Sequence, residues 1–175
     1  NKKYLTKYKN IDHRFLFINS GYNLRPTEIQ SAIGNNQFKR LKQFIKVRNN
    51  NRNLIISNLK KHKDWNNQFK FVNLAKNIEP SWFGLPILID QKYKANKQSF
   101  LKMLTKQGIE NRPILSGNFA NQPSTFLYNL NPKKEKFKNA QVIEDLGFFI
   151  GLHTQELLLK DAKYLANTLL KINRF

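Results

Sequence analysis

The chain has 175 residues, 40% of them hydrophobic, no cysteine and a formal charge of +20. Its length predicts one domain, or a small domain plus part of another, and its apolar content excludes a disordered chain. The absence of cysteine excludes disulfides and thiolate metal sites and fits a cytoplasmic protein.

In chain order, "NKKYLTKYKN" is basic but leads into no apolar segment, which predicts no secretory signal. No apolar run reaches the roughly 18 residues a membrane span needs. A semi-apolar stretch, "RFLFI" (14–18), precedes a loop, "GYNLRP" (21–26). Thr27 and Gln30 have capping-box spacing, and Ile29, Ala32 and Ile33 form one stripe. Apolar residues at helical spacing continue through Phe38, Leu41, Ile45, Leu54, Ile55 and Leu59. The prediction is a mainly helical 27–61, disturbed near Gly34, where glycine costs a helix about 1 kcal/mol relative to alanine. A helix of that length commonly ties two domains together.

From residue 66 the pattern changes. "FKFVNL" (69–74) and "SWFGLPILI" (81–89) read as strands. "KQSFLKMLTKQG" (97–108) reads as a helix with Phe100, Leu101 and Leu104 on its apolar face and Gly108 as its stop. "IENRPI" (109–114) reads as a short strand and "SGNFANQPSTFLYNLNP" (116–132) as a loop. A short helix, "NAQVIEDLG" (139–147), a strand, "FFIGLH" (148–153), and a final amphipathic helix over 156–172 follow. This order predicts a small α+β domain, helices packed on a mixed or antiparallel sheet.

The charge has two readings. A polyanion partner would explain it. So would composition: 24 lysines against 7 arginines, with 24 asparagines and 15 isoleucines, the residues A/T-rich codons favour. The lysines are scattered, whereas a nucleic-acid site concentrates charge on one face.

No GxGxxG, P-loop or nucleophile elbow is present. His13, His62 and His153 lie too far apart for metal-ligand spacing, and no metal site is expected. Glu144 and Asp145 are adjacent and would not share a helical face. Glu28 and Asp12 flank the first loop without forming an acid/base pair. Two loops carry specialised groups. "GYNLRP" combines a glycine, the amide of Asn23 and the guanidinium of Arg25 ahead of a capped helix N-terminus. That set suits a phosphate, and it equally suits an ordinary helix entry with a surface arginine. In "NRPILSGNFANQP", Arg112, Asn118, Asn121 and Gln122 could recognise a sugar or nucleotide, or could be an Asn-rich connection in an Asn-rich chain.

Together these loops carry a resemblance. "GYNLRPTEIQSAIGNNQFKRLKQFIKVRNNN", then "SWFGLPI", "RPILSGNFANQP" and "GFFIGLHTQELLLKDAKYLANTL", resemble the C-terminal half of the DegT/DnrJ/StrS family. These are pyridoxal-phosphate enzymes acting on nucleotide-linked keto sugars. The resemblance implies the C-terminal part of the aspartate-aminotransferase fold (fold type I). Residues 1–35 would end a large cofactor domain, 36–62 would be a connecting helix and 63–175 a small α+β domain. It implies that the Schiff-base lysine, or the histidine replacing it, lies upstream of Asn1, so that this stretch alone would be inactive. Asn23 would reach the cofactor phosphate of the neighbouring subunit in a homodimer, with Arg25 beside it. Arg112, Asn118, Gln122 and His153 would contact substrate. The second loop looks more like that of the 3-dehydratases than that of the aminotransferases, which remain the alternative. A basic nucleic-acid-binding module is the alternative outside the family. If the resemblance holds, Phe15, Leu16, Phe17, Ile18, Ile29 and Ile33 should be poorly covered within this chain.

Overall fold

A computed structural model describes residues 2–23, 27–128 and 137–175. The N-terminal stretch forms a short helix, α1 (Lys2–Lys7), and a 3-10 turn at His13–Phe15, neither anticipated from the sequence. The turn is closed by Asp12, whose carboxylate accepts from the Arg14 backbone N–H at 3.0 Å and from its guanidinium at 2.7 Å.

The long helical stretch is two helices, α2 (Glu28–Phe38) and α3 (Leu41–Lys60). The expected disturbance at Gly34 is not there. Gly34 sits inside α2, and a Cβ added to it would meet nothing. The break falls at Lys39–Arg40, where Arg40 N–H bonds Gln37 O and closes α2 with a tight turn. Glycine lowers helix propensity by only about 1 kcal/mol, too little to end a helix whose other residues favour it. At the start of α2, Gln30 Oε1 accepts from Thr27 N–H at 2.8 Å, as the capping-box spacing predicted.

Four strands form one antiparallel sheet in the order β1-β2-β4-β3: β1 (Phe69–Phe71), β2 (Gly84–Ile89), β4 (Gly147–Gly151) and β3 (Asn111–Arg112). All are shorter than the sequence runs. β3 keeps two of the six residues of "IENRPI", because Pro113 has no N–H to extend the ladder. β2 alternates about the sheet. Leu85, Ile87 and Ile89 are buried on one side, and Pro86 and Leu88 are half-covered on the other. The buried side joins Phe69, Phe148 and Ile150 to the apolar faces of α3, α4 (Lys97–Lys106) and α6 (Leu159–Leu169).

The core is closed by matched stripes. α3 buries Val47, Asn51, Ile55 and Leu59, four residues apart each time. α6 lies against α3 and buries Ala162, Ala166, Thr168 and Leu169, the alanines permitting close approach. α6 starts three residues later than predicted, since Leu157 N–H is drawn out of the helix to Asn51 Oδ1 at 2.9 Å. It ends in a 3-10 turn, Leu170–Arg174.

α5 (Lys138–Leu146) runs straight into β4. Its C-terminal end is held by Lys97, which is only 8% exposed and donates to Glu144 O at 2.7 Å. Burial pushes the Lys97 ammonium down to about 8, against the pull of Asp145 and Glu144. Between that value and the ordinary lysine value the unfolded chain holds a proton that the folded one has lost. Stability contributed at this position therefore rises with pH across the window and is lowest below pH 8. Lys97→Met should flatten that rise. The expected gap, read as urea midpoints of the two chains from pH 7 to pH 10.5, changes by roughly 1–3 kcal/mol over the window. Parallel pH profiles would contradict it.

Ile29, Ile33 and Phe17 are exposed, as expected, whereas Phe15, Leu16 and Ile18 are half-buried. No residue of α2 is buried. Among the described residues no helix is long and apolar enough to cross a membrane.

Candidate functional site

The segment that precedes the first loop meets the second, although about a hundred residues separate them. Phe17 N–H donates to Gln122 Oε1 at 3.1 Å, and Ser124 N–H donates to Phe17 O at 3.1 Å. Ser20 Oγ and Tyr128 OH are 2.9 Å apart. A line of rings backs these bonds: Phe17 to Phe119 at 6.5 Å, and Phe119 edge-on to Tyr128 at 5.9 Å. All three rings keep an exposed surface. The segment that leads into Asn23 is thus fixed against the second loop.

Asn23 itself is exposed and has φ +50°, the left-handed region that asparagine tolerates better than most residues. Arg25 lies outside the described residues. Thr27 and the first turn of α2 follow directly, so an amide and the positive end of an 11-residue helix adjoin in sequence.

The second loop is a chain of turns. Gly117 N–H bonds Ile114 O, and 3-10 turns follow at Phe119–Asn121 and Pro123–Tyr128. Asn118 is buried and its side chain is committed within the chain. Its Oδ1 accepts from Ala120 N–H at 3.1 Å and its Nδ2 donates to Gln141 at 3.0 Å. Gln122 is 2% exposed and bonds Phe17 N–H and Ser116 O. These two groups hold the loop's shape. The three rings and Asn23 keep an exposed surface at this junction, as do Tyr22, Leu115 and Phe126.

Arg112 and His153 come together elsewhere, lining a cleft of about 490 Å³ with Arg48, Glu110, Asp161 and Tyr164. The Arg112 guanidinium bonds Glu110 Oε1 at 2.6 and 2.9 Å. Both partners are well exposed, so the pair is weak and the guanidinium can exchange its partner for a ligand carboxylate or phosphate. His153 Nδ1 accepts from Gln155 N–H at 3.0 Å, which leaves Nε2 as the outward atom. Its backbone is pinned by Asn51 Nδ2, which donates to His153 O at 3.1 Å and to Gln155 O at 2.8 Å. Among the described residues no group of three or more His, Asp or Glu could hold a metal ion.

Sequence reasoning missed Gln141 and Glu144. Glu144 accepts from Asn118 N–H at 2.8 Å and from Asn121 Nδ2 at 3.0 Å, and Gln141 Oε1 accepts from Asn118 and Asn121. The available signal was their spacing of three on a helix directly after the loop.

The likeness to solved pyridoxal-phosphate-dependent chains given below shows this arrangement to be part of the fold of a transferase of fold type I. The profile of the DegT/DnrJ/EryC1/StrS aminotransferase family matches residues 2–169, and the chain belongs to that family. Among curated relatives, the GDP-4-keto-6-deoxy-D-mannose 3-dehydratase of Escherichia coli O55:H7 is 32% identical over 83% of this chain and 36% of its own. The enzyme of the same name from Yersinia pseudotuberculosis is 30% identical over 88% of this chain and 38% of its own. The solved E. coli GDP-4-keto-6-deoxy-D-mannose-3-dehydratase with bound hydrated PLP superposes with a TM-score of 0.63 at 31% identity, covering 90% of this chain and 39% of that one. Helicobacter pylori PseC, an aminotransferase of pseudoaminic acid biosynthesis, gives 0.71 at 24% identity over 98% of this chain and 45% of its own, a likeness of fold. The chain therefore spans little more than a third of the length of the curated dehydratases it matches.

Proposed function

We propose that this chain is the C-terminal part of a pyridoxal-phosphate-dependent enzyme acting on a nucleotide-linked 4-keto-6-deoxy sugar, a 3-dehydratase in preference to an aminotransferase. What carries the reading is the identity of 30–32% with two GDP-4-keto-6-deoxy-D-mannose 3-dehydratases over more than four fifths of the chain. The parent protein is read as a cytoplasmic homodimer. Residues 1–35 complete its cofactor domain, 36–62 connect, and 63–175 form the small domain. A separate nucleic-acid module is not needed to account for the charge.

The described donors suit the cofactor's phosphate: an exposed asparagine amide in a left-handed turn, then a helix N-terminus, where an anion is favoured. Bound there, pyridoxal phosphate supplies an electron sink for chemistry next to the sugar's carbonyl. This chain's residues bind and orient. Asn23 donates to the phosphate of the neighbouring subunit's cofactor. Arg112 supplies a forked donor and His153 a ring nitrogen to the nucleotide sugar. Gln122 keeps the two loops in register.

The test is the whole protein with pyridoxal phosphate, glutamate and GDP-4-keto-6-deoxymannose, the product read by mass. Loss of the 3-hydroxyl is the expected result. Replacement of the keto oxygen by an amine would make the enzyme an aminotransferase, and no turnover of either kind would end the reading. Asn23→Ala in that protein should weaken cofactor retention about ten- to hundred-fold, the worth of one hydrogen bond to a charged group. The unfolding temperature without cofactor should stay nearly constant. In hybrids with a subunit whose own ring-binding residues are destroyed, an Asn23→Ala subunit still borrows the intact Asn23 of its partner, so this hybrid should keep one complete site, as the hybrid with wild type does. Lower cofactor occupancy in the Asn23→Ala hybrid than in the wild-type hybrid would remove Asn23 from its role across the interface.

A further inference from the structure

We propose that Glu144, assisted by Gln141, is a positioning residue for Asn23: it sets the 116–122 loop and, through Gln122, registers that loop with the segment leading to Asn23. The inference rests on the functional reading above. It starts from an anomaly of charge. Acidic residues number 11 against 31 lysines and arginines, yet Glu144 forms no side-chain ion pair among the described residues. Both its oxygens go instead to neutral donors of one loop, Asn118 N–H and Asn121 Nδ2.

The loop is shaped to receive it. At Gly117, φ is +64°, and an added Cβ would lie 2.9 Å from both Cβ and Cγ of Glu144. Only a residue without a side chain lets the carboxylate come so near, and glycine adopts that φ without strain. One turn back on α5, Gln141 accepts from the Asn118 and Asn121 side chains and donates to Asp145 Oδ1, while the other oxygen of Asp145, Oδ2, accepts from Lys94 at 2.7 Å. Gln141, Glu144 and Asp145 of α5 thus form a bracket, Glu144 towards the loop and Asp145 towards Lys94. From Asn121 the hold passes to Gln122, whose amide fixes Phe17 and Ser116. Gln141 and Glu144 are thus the anchors, on α5, of the loop that holds the segment leading to Asn23.

Two variants of the whole protein test this, Glu144→Gln and Gly117→Ala. Glutamine keeps the size of the side chain but turns one acceptor into a donor facing a donor. Alanine pushes the carboxylate away from the loop's side. Three quantities are read: amide exchange over 116–122, cofactor absorbance, and the KM and kcat for GDP-4-keto-6-deoxymannose. In both variants exchange at Asn118 should rise about tenfold or more and pyridoxal phosphate should be held about tenfold less tightly, the worth of a hydrogen bond to a charged group. At saturating cofactor, KM and kcat should change much less than cofactor affinity. The double variant should be no worse than the poorer single one, because both break the same contact. Unchanged exchange, or faster exchange with an unchanged cofactor affinity, overturns the proposal. A wild-type protein inactive on this sugar instead sinks the functional reading, and the exchange result then decides by itself whether Glu144 holds the loop.

Discussion

Phe100→Ala should cost the chain about 3–5 kcal/mol, a large part of the 5–15 kcal/mol typical of a folded domain. Phe100 is fully buried, and three rings surround it: Phe148 edge-on at 5.9 Å, Phe175 at 6.1 Å and Phe69 at 6.4 Å. The ring joins α4 to β1, β4 and the C-terminal residue. Deleting it opens a cavity that two short strands and a helix cannot collapse into without losing sheet register. Ile29→Ala is the informative control. Ile29 is also an apolar residue on a helix, but it is 74% exposed, so its truncation should stay within about 0.5 kcal/mol. Urea unfolding of both variants beside the parent chain gives the comparison. A loss at Ile29 as large as that at Phe100 would mean that α2 is covered in the 175-residue chain in solution.

That pair shows where sequence periodicity reaches its limit. Phe100 and Ile29 satisfy the same helical spacing, and the spacing correctly gives both helices. It does not say which apolar face finds a partner within the chain, because burial depends on contacts distant in sequence. The strands show the same boundary. Their existence followed from β-branched and aromatic runs, while their ends were set by backbone details such as the missing N–H of Pro113. The two loops were legible as unusual groups in an unusual order. The hold of the second loop on the segment before the first, through Gln122 and Phe17, was not, since no local pattern encodes a bond across 105 residues. Glu144 was dismissed for lacking a paired acid. Its work is done with neutral donors, which a search for charge pairs passes over. Lys97 reads in the sequence as one lysine among 24; only the tertiary structure buries it.

Asn51→Leu should destabilise the chain by several kcal/mol, against what the helical pattern suggests. Asn51 falls in the stripe Val47, Asn51, Ile55, Leu59, where a leucine of similar size would complete an apolar ridge against α6. Helix propensity favours leucine over asparagine by a few tenths of a kcal/mol. Pattern and propensity together therefore predict a more stable protein. The structure gives the opposite sign. The Asn51 side chain makes three hydrogen bonds to one turn of backbone: it donates to His153 O and Gln155 O and accepts from Leu157 N–H. Leucine removes all three partners at once. Each group left unsatisfied in a buried setting costs about 1–3 kcal/mol, less where water reaches it, and His153 and Gln155 are both exposed residues. The net loss of about 3–5 kcal/mol exceeds the small gain in propensity. The segment 153–157 should also loosen, so amide exchange at Leu157 should quicken more than at Ile87 in the sheet, which an evenly weakened fold would not produce. His153 sits on that segment, so the cleft it shares with Arg112 loses its shape with it. A urea midpoint higher than that of the parent chain would show that the apolar ridge outweighs the three hydrogen bonds, and that the 153–157 turn holds itself without Asn51.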